Sequence, residues 1–537
     1  MLWIALHLPL LSLESFAATL PHTELEPSLA LMDARHILSA NAAAHALGIR
    51  PGLKRATALA LAPQLTLGQA DPARDAQALT AVAHAALAFT PAVSIPPVDA
   101  AAGAGATAGA APDTVLLEVQ ASLRYFGGLP ALLRRLQQAL APLGHRLHIV
   151  SACTALGAAL LSRVHERLDC ADLAATRHAL AAAPVWLIGP GRAHWEALQG
   201  MGLRTLADLA RLPRAGLARR FGEAVLSELD RAMGERPDPR EPLLLAATFE
   251  SRLELFARAD TTEQLLHGAD VLLARLVAWL SAQHAFVRRF TLEMQHEKYV
   301  RRAEPVATST RLEVALAEPS RDSAHLLVLL RERLAQLQLP APTLELRLHA
   351  EDIARRAPPN AELFPTPQSE QDGLTRLIER LQARLGPEQV QRLRPCDDHR
   401  PERATAWRTA DAQMRAVRAA RPAHGLAAPA RPHARGDHRH ADVDADADAE
   451  TPLPAVRPVW LLLRPEPLPE RDNAPVLDRQ RLQLVSGPER IEAGWWDSAL
   501  AERDYFIAQL PGGALVWIYR ARIPEPGAGW FLQGRFG

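Results

Sequence analysis

The amino-acid sequence predicts an α+β protein of several domains, and three observations carry that reading. The chain has 537 residues, more than a single hydrophobic core ordinarily serves. Hydrophobic residues make up 48% and charged residues 22%, a globular balance. Apolar strand-like runs alternate with Ala-rich helical runs, and composition shifts abruptly at several points along the chain.

The first run, residues 2–6, reads as a buried strand. The opening MLWIALHLPLLSLESFAATL has the apolar stretch and small residues of a signal peptide, but no Lys or Arg precedes the stretch, and His7 and Glu14 interrupt it. Residues 115–119 and 147–151 read as further strands, and 30–47, 71–88 and 129–143 as helices. The low-complexity segment 100–112, AAAGAGATAGAAP, reads as a flexible loop. Residues 186–240 change to short helices with Gly-containing turns. Residues 241–355 read as a second α+β region, with helices at 262–283 and 320–337 and strands at 290–295, 311–315 and 343–350. Residues 370–394 form an amphipathic helix in this reading. Pro, Ala, His and Arg, then the acidic tract DVDADADAE, mark 396–457 as a disordered linker. That tract lacks the Gly and bidentate Glu of a calcium loop. Order returns at 458–537, where Trp460, Trp495, Trp496, Trp517 and Trp530 cluster.

The formal charge is +0, from 60 basic and 60 acidic residues, so the whole-chain charge neither favours nor opposes nucleic acid. Lys54 and Lys298 are the only lysines. With so much Ala and Pro, the arginines reflect coding bias before they reflect phosphate binding. Cys153, Cys170 and Cys396 form no CxxC pair, which fits a reducing, cytoplasmic setting without a disulfide framework or structural zinc. No run of about 18 uninterrupted apolar residues occurs, so no membrane span is expected.

Several runs carry a resemblance. Residues 4–14 read IALHLPLLSLE, 41–53 NAAAHALGIRPGL, 62–65 APQL, 111–120 APDTVLLEVQ and 124–128 RYFGG. Residues 187–213 read LIGPGRAHWEALQGMGLRTLADLARLP, and the C-terminal region carries GPERIEAGWWDSALAERDYF and WFLQGRFG. In this order the runs resemble the Y-family DNA polymerases of lesion bypass. Within that family they look like the polymerase-like proteins of bacterial SOS mutagenesis cassettes, for which the C-terminal runs are the most specific. The resemblance implies a palm and fingers-like region at 1–185, a helix-hairpin-helix thumb-like segment at 186–240 and a little-finger-like region at 241–355. It further implies a clamp-binding peptide and helix at 356–395, the linker at 396–457 and a C-terminal partner-binding module at 458–537.

The resemblance also exposes gaps. Nucleotide joining uses two divalent metals held by carboxylates. The first strand of a Y-family polymerase reads like IDMDAFFASVE. Its aspartate positions are Ala5 and His7 here, and only Glu14 survives. The second acidic run, like SIDEAFLDVT, has Asp113 in place but Thr114 for its Glu, with Glu118 further on. The triphosphate-gripping run, like NYEARKFGVRAGM, has Ala42 for Tyr and His45 for Arg, which removes an arginine fork for phosphate. A lone imidazole nitrogen suits magnesium poorly. No metal, cofactor, catalytic or nucleotide-binding residue is therefore expected. The resemblance implies a non-catalytic adaptor working with the sliding clamp, an error-prone C-family polymerase and a small RecA-like protein. The alternative is a weakly active Y-family polymerase using Asp113, Glu118 and Glu14.

Other candidates concern binding. Gly189, Gly191 and Gly202, with Arg192 and Arg204, resemble helix-hairpin-helix turns that offer backbone N–H groups to DNA phosphates without reading sequence; plain helix-capping turns are the other reading. Arg288, Arg289, Arg301 and Arg302 flank one strand of the little-finger-like region. Asn360, Leu363 and Phe364 fit a clamp-binding peptide of the QxxLF type, with Asn for Gln. The pairs Trp495–Trp496 and Tyr505–Phe506 read as core or as partner contacts.

Overall fold

A computed structural model describes the chain except residues 22–26, 97–111, 190–193, 298–306, 356–366, 411–456, 524–528 and 537. The expected loop at 100–112 falls almost wholly outside the described residues, as do Gly191, Arg192, Arg301, Arg302, Asn360, Leu363, Phe364 and the acidic tract. The chain forms two compact units, Met1–Arg384 and Leu385–Gly537.

The first unit is built around strand Trp3–His7. It lies antiparallel between Thr114–Glu118 and His148–Ala152, pairing Ala5 with Leu116 on one side and Val150 on the other. Val93–Ser94 and Arg167–Asp169 complete a five-stranded sheet. Alternation along the strand supplies two cores at once. Ile4 and Leu6 face helices Pro72–Leu87 and Leu129–Leu140. Ala5 faces helix Ala155–Ser162 and the short helices beyond residue 194. Both faces are covered, so WIALH reads as a continuous apolar strand interrupted only at its end by His7.

The helix expected at 30–47 is not there. Strands Leu29–Met32 and Ile37–Ala40 form a hairpin, with Thr66–Gln69 parallel to the first. The reason is Asp33: its carboxylate accepts the backbone N–H groups of Arg35 (2.6 Å) and His36 (2.7 Å). Such an Asx turn reverses the chain where alanine content alone favours helix. Only Ala42–Ala46 is helical, capped by Asn41.

Residues 195–233 form four helices, Trp195–Gly200, Leu206–Ala210, Arg214–Phe221 and Glu223–Met233. Thr205 and Asp208 make a capping box on the second. The next layer is a four-stranded antiparallel sheet, ordered Ser309–Ser320, Ala285–His296, Thr343–Arg355 and Phe249–Ala259. Helices Thr262–Ala282 and Ser323–Leu334 cover one face. Thr262–Ala282 is long and apolar enough to cross a membrane by length and composition. Here its Leu272, Leu276, Trp279 and Leu280 are buried in the core of this layer. Buried Arg275 on the same helix reaches Gln77, Ser251 and the carbonyl of Arg252 at 3.2–3.4 Å.

The amphipathic helix expected at 370–394 runs instead from Pro367 to Leu385. Gly386, with φ +92°, ends it. Gln391–Pro395 is a strand of the second unit, paired with Thr405–Thr409. The N-terminal part of the expected linker, 396–410, is thus ordered. This unit also holds a five-stranded antiparallel sheet, ordered Trp460–Leu468, Trp530–Arg535, Leu515–Ala521, Ala501–Gln509 and Gln483–Ala493, and a small three-stranded one of Glu470–Arg471, Ala474–Leu477 and Gln480–Arg481. One face packs Leu468, Ile518, Trp530 and Leu532, the other Ile491, Tyr505, Trp517 and Phe531.

Candidate functional site

The register of the first strand sets His7 opposite Thr114. His7 Nδ1 lies 3.2 Å from the Thr114 hydroxyl and 3.6 Å from Asp113 Oδ1. Thr114 donates to Asp113 Oδ1 at 2.8 Å, and Arg163 Nη2 donates to the same oxygen at 2.9 Å. Burial pushes the Asp113 carboxyl up, but hydrogen bonding with His7 and the Arg163 charge outweigh it and hold the carboxyl below its ordinary value. Asp113 is therefore an ionised carboxylate whose counterion is a protein guanidinium. Ala5 points into the opposite core and is fully buried. Sequence reasoning missed Arg163. It caps helix Ala155–Ser162, 50 residues from its partner, and no local motif links the two.

Glu118 and Glu14 do not join Asp113. Glu118 sits opposite Trp3 at the far end of the strand pair, about 16 Å along the chain from Asp113 at ~3.3 Å per residue. Its carboxylate accepts the Gln120 N–H at 3.2 Å. Glu14 accepts the Arg146 N–H at 3.1 Å and lies 3.2 Å from His145 Nδ1. Among the described residues, no group of three or more His, Cys, Asp or Glu could hold a metal ion.

Ala42 and His45 stand on the short helix Ala42–Ala46, whose cap Asn41 accepts the Ala44 N–H at 3.0 Å. His45 Nδ1 is 2.8 Å from Arg50 Nη1, which also donates to the His45 and Ile49 carbonyls. A cleft of about 700 Å³ opens between this hairpin and the end of the first strand. Asp33, His45, Asp75 and Asp113 line it, among leucines and prolines, and among the described residues no lysine or arginine does. Sequence reasoning also missed Asp75, which lies inside a helix whose apolar pattern hides it. It is buried, accepts the Ser12 hydroxyl, and burial pushes its carboxyl up.

In the helical segment, the Gly189 N–H donates to buried Glu228 at 3.2 Å. Gly202, with φ +80°, makes the turn between the first two helices. Arg204 is exposed, while its own N–H donates to Asp208. On the four-stranded sheet, Arg289 pairs with Glu313 at 3.2 Å and Arg288 with Asp352 at 3.8 Å. Arg311 with Glu293 and Arg347 with Glu345 continue the pattern. These arginines are neutralised in place by neighbouring carboxylates.

The second unit holds a constellation that the linker reading concealed. Arg400, 2% exposed, donates to both carboxylate oxygens of Asp398 and of Asp497, and to the Ala499 carbonyl at 2.9 Å. Its guanidinium lies 5.4 Å from the Trp496 ring centre. The turn it anchors starts at Gly494, φ +89°, where a Cβ would fall 2.2 Å from the Ala499 carbonyl oxygen. That turn presents Trp495 and Trp496 edge to face, 72% and 53% exposed. Tyr505, by contrast, is core, stacked 4.3 Å from Trp517. Hydrogen bonds from Arg400 outweigh burial and hold the Asp497 carboxyl down to about 2, from an ordinary 3.8. A depressed carboxyl contributes stability above its unfolded value and loses it as pH falls through its folded value. Tryptophan emission should therefore stay constant down to about pH 4 and change as the pH approaches ~2. Arg400→Ala should lower the melting temperature by about 5 °C or more at neutral pH, read by circular dichroism.

The α+β architecture has structural neighbours among Y-family DNA polymerases. An insertion ternary complex of Dbh DNA polymerase matches with TM-score 0.37 and 16% identity, covering 66% of this chain and 99% of that one. DinB from Sulfolobus solfataricus matches with TM-score 0.34 and 16% identity over the same shares. The chain is similar to Protein ImuB of Caulobacter vibrioides strain NA1000 / CB15N, with 29% identity over 512 residues, covering 91% of this chain and 100% of that protein. No family model matches the chain.

Proposed function

We propose that this protein is a non-catalytic adaptor in DNA-damage-induced translesion synthesis and mutagenesis. It links the sliding clamp, an error-prone C-family polymerase and a RecA-like partner at damaged DNA. The observation that carries the reading is Asp113. The one carboxylate kept at the acidic position is ion-paired to Arg163, while Ala5 and His7 offer no further oxygen ligands. Similarity to Protein ImuB along most of the chain supports the same reading. Helices 195–233 supply non-sequence-specific DNA contacts through exposed Arg204 and the Gly202 turn, while the self-paired sheet adds little net positive charge. Residues 360–364 supply the clamp peptide, and the exposed Trp495–Trp496 turn engages a protein partner.

A weakly active polymerase using Asp113, Glu118 and Glu14 is disfavoured, since these carboxylates are not brought together. Co-purification tests the adaptor. The full chain should retain both the clamp and the C-family polymerase. A chain ending at Arg384, where the first compact unit ends, should retain the clamp and lose the polymerase. Equal recovery of the polymerase by both chains would overturn the assignment of partner binding to the second unit. Recovery of neither protein by the full chain would overturn the adaptor.

A further inference from the structure

The cleft beside the first strand has a chemistry of its own. Its walls are apolar, from Leu8, Leu11, Leu38, Ala40 and Pro72, and among the described residues its titratable groups are the carboxylates of Asp33, Asp75 and Asp113 and the imidazole of His45. Two of these are engaged elsewhere: Asp33 holds the amides of its turn, and Asp113 holds Arg163 and Thr114. Asp75 is different. It is 4% exposed, one of its oxygens accepts the Ser12 hydroxyl, and the other has no hydrogen-bond partner. The nearest cation to that oxygen, Arg74 Nε, stands 3.8 Å away without a hydrogen bond. A buried carboxylate oxygen left empty is costly, and a donor that fills it gains the full difference.

We propose that this cleft is a receptor for one cationic group on an apolar stem, an arginine or lysine side chain of a partner protein, with Asp75 as its anchor. The methylenes of such a side chain match the leucine and proline walls, while its charged head meets the carboxylates. A volume of about 700 Å³ is that of a small-ligand site. A nucleoside triphosphate would meet the carboxylates of Asp33 and Asp75, while the Arg163 guanidinium is already held by Asp113. The proposal rests on the cleft alone and stands or falls separately from the adaptor reading.

Ligand-observed NMR on the full chain tests it with three probes: N-acetyl-arginine methylamide, putrescine and magnesium dATP. The arginine derivative should bind saturably, more tightly than putrescine, and should not be displaced by dATP. Asp75→Asn should weaken it by about tenfold or more. Pro72→Lys, at the exposed rim, tethers an ammonium over the carboxylates and should block the probe, which keeps the test decisive if Asp75→Asn fails to fold. Absent binding, binding indifferent to both variants, or displacement by dATP overturns the proposal. Preferential binding of putrescine overturns the assignment to a protein side chain.

Discussion

Given a primed template, all four deoxynucleoside triphosphates and magnesium or manganese, the full chain is expected to extend no primer. An active enzyme of this kind lowers its barrier by clamping the attacking and leaving oxygens between two metals. Without that clamp the rate should fall by about 10⁶-fold or more, below detection. The charge of Asp113 is already balanced by Arg163 at 2.9 Å, so an incoming cation would have to displace a guanidinium. Restoring aspartate at position 5 should not rescue activity. Ala5 is fully buried against Leu116 and Val150, and a carboxylate there has no partner. Ala5→Asp should instead destabilise the first unit by about 3 kcal/mol or more, seen as a lowered urea midpoint. Primer extension by the unaltered chain, abolished by Asp113→Ala, would sink the adaptor reading.

The second large effect concerns the clamp. Leu363→Ala combined with Phe364→Ala should weaken clamp binding about 100-fold or more in a surface-binding assay, because two apolar anchors filling one pocket carry most of such an interface. In the sequence the peptide follows strand Thr343–Arg355 and precedes helix Pro367–Leu385. Asn360→Gln should tighten binding by restoring the longer amide. Unchanged affinity of the double variant would place the clamp contact elsewhere on the chain.

Residues with a strong period announced their elements. Residues 71–88 became helix Pro72–Leu87 under an Asp71 cap, and 147–151 became strand His148–Ala152. The failures have local causes. At 30–47 a run of helix-forming residues was read without weighing Asp33, whose two hydrogen bonds to backbone N–H groups turn the chain. Strand Phe249–Ala259 was missed although Phe249, Ser251 and Leu253 alternate with charged residues. In 396–410, arginine and proline content suggested a linker, yet one guanidinium gathers two carboxylates there and organises a turn almost a hundred residues away. The candidate site divides the same way. Asp113, His7 and Ala5 were legible because their runs resemble the acidic runs of Y-family polymerases. Arg163 and Asp75 were not, because only packing between elements distant in sequence brings Arg163 to Asp113 and Asp75 to Ser12.

The Asp113–Arg163 pair has one more consequence. A carboxylate that carries its own counterion offers an incoming cation less than a free carboxylate would. By linkage, a cation that must first displace Arg163 shifts the folded population through this carboxylate less than it would through an unpaired one.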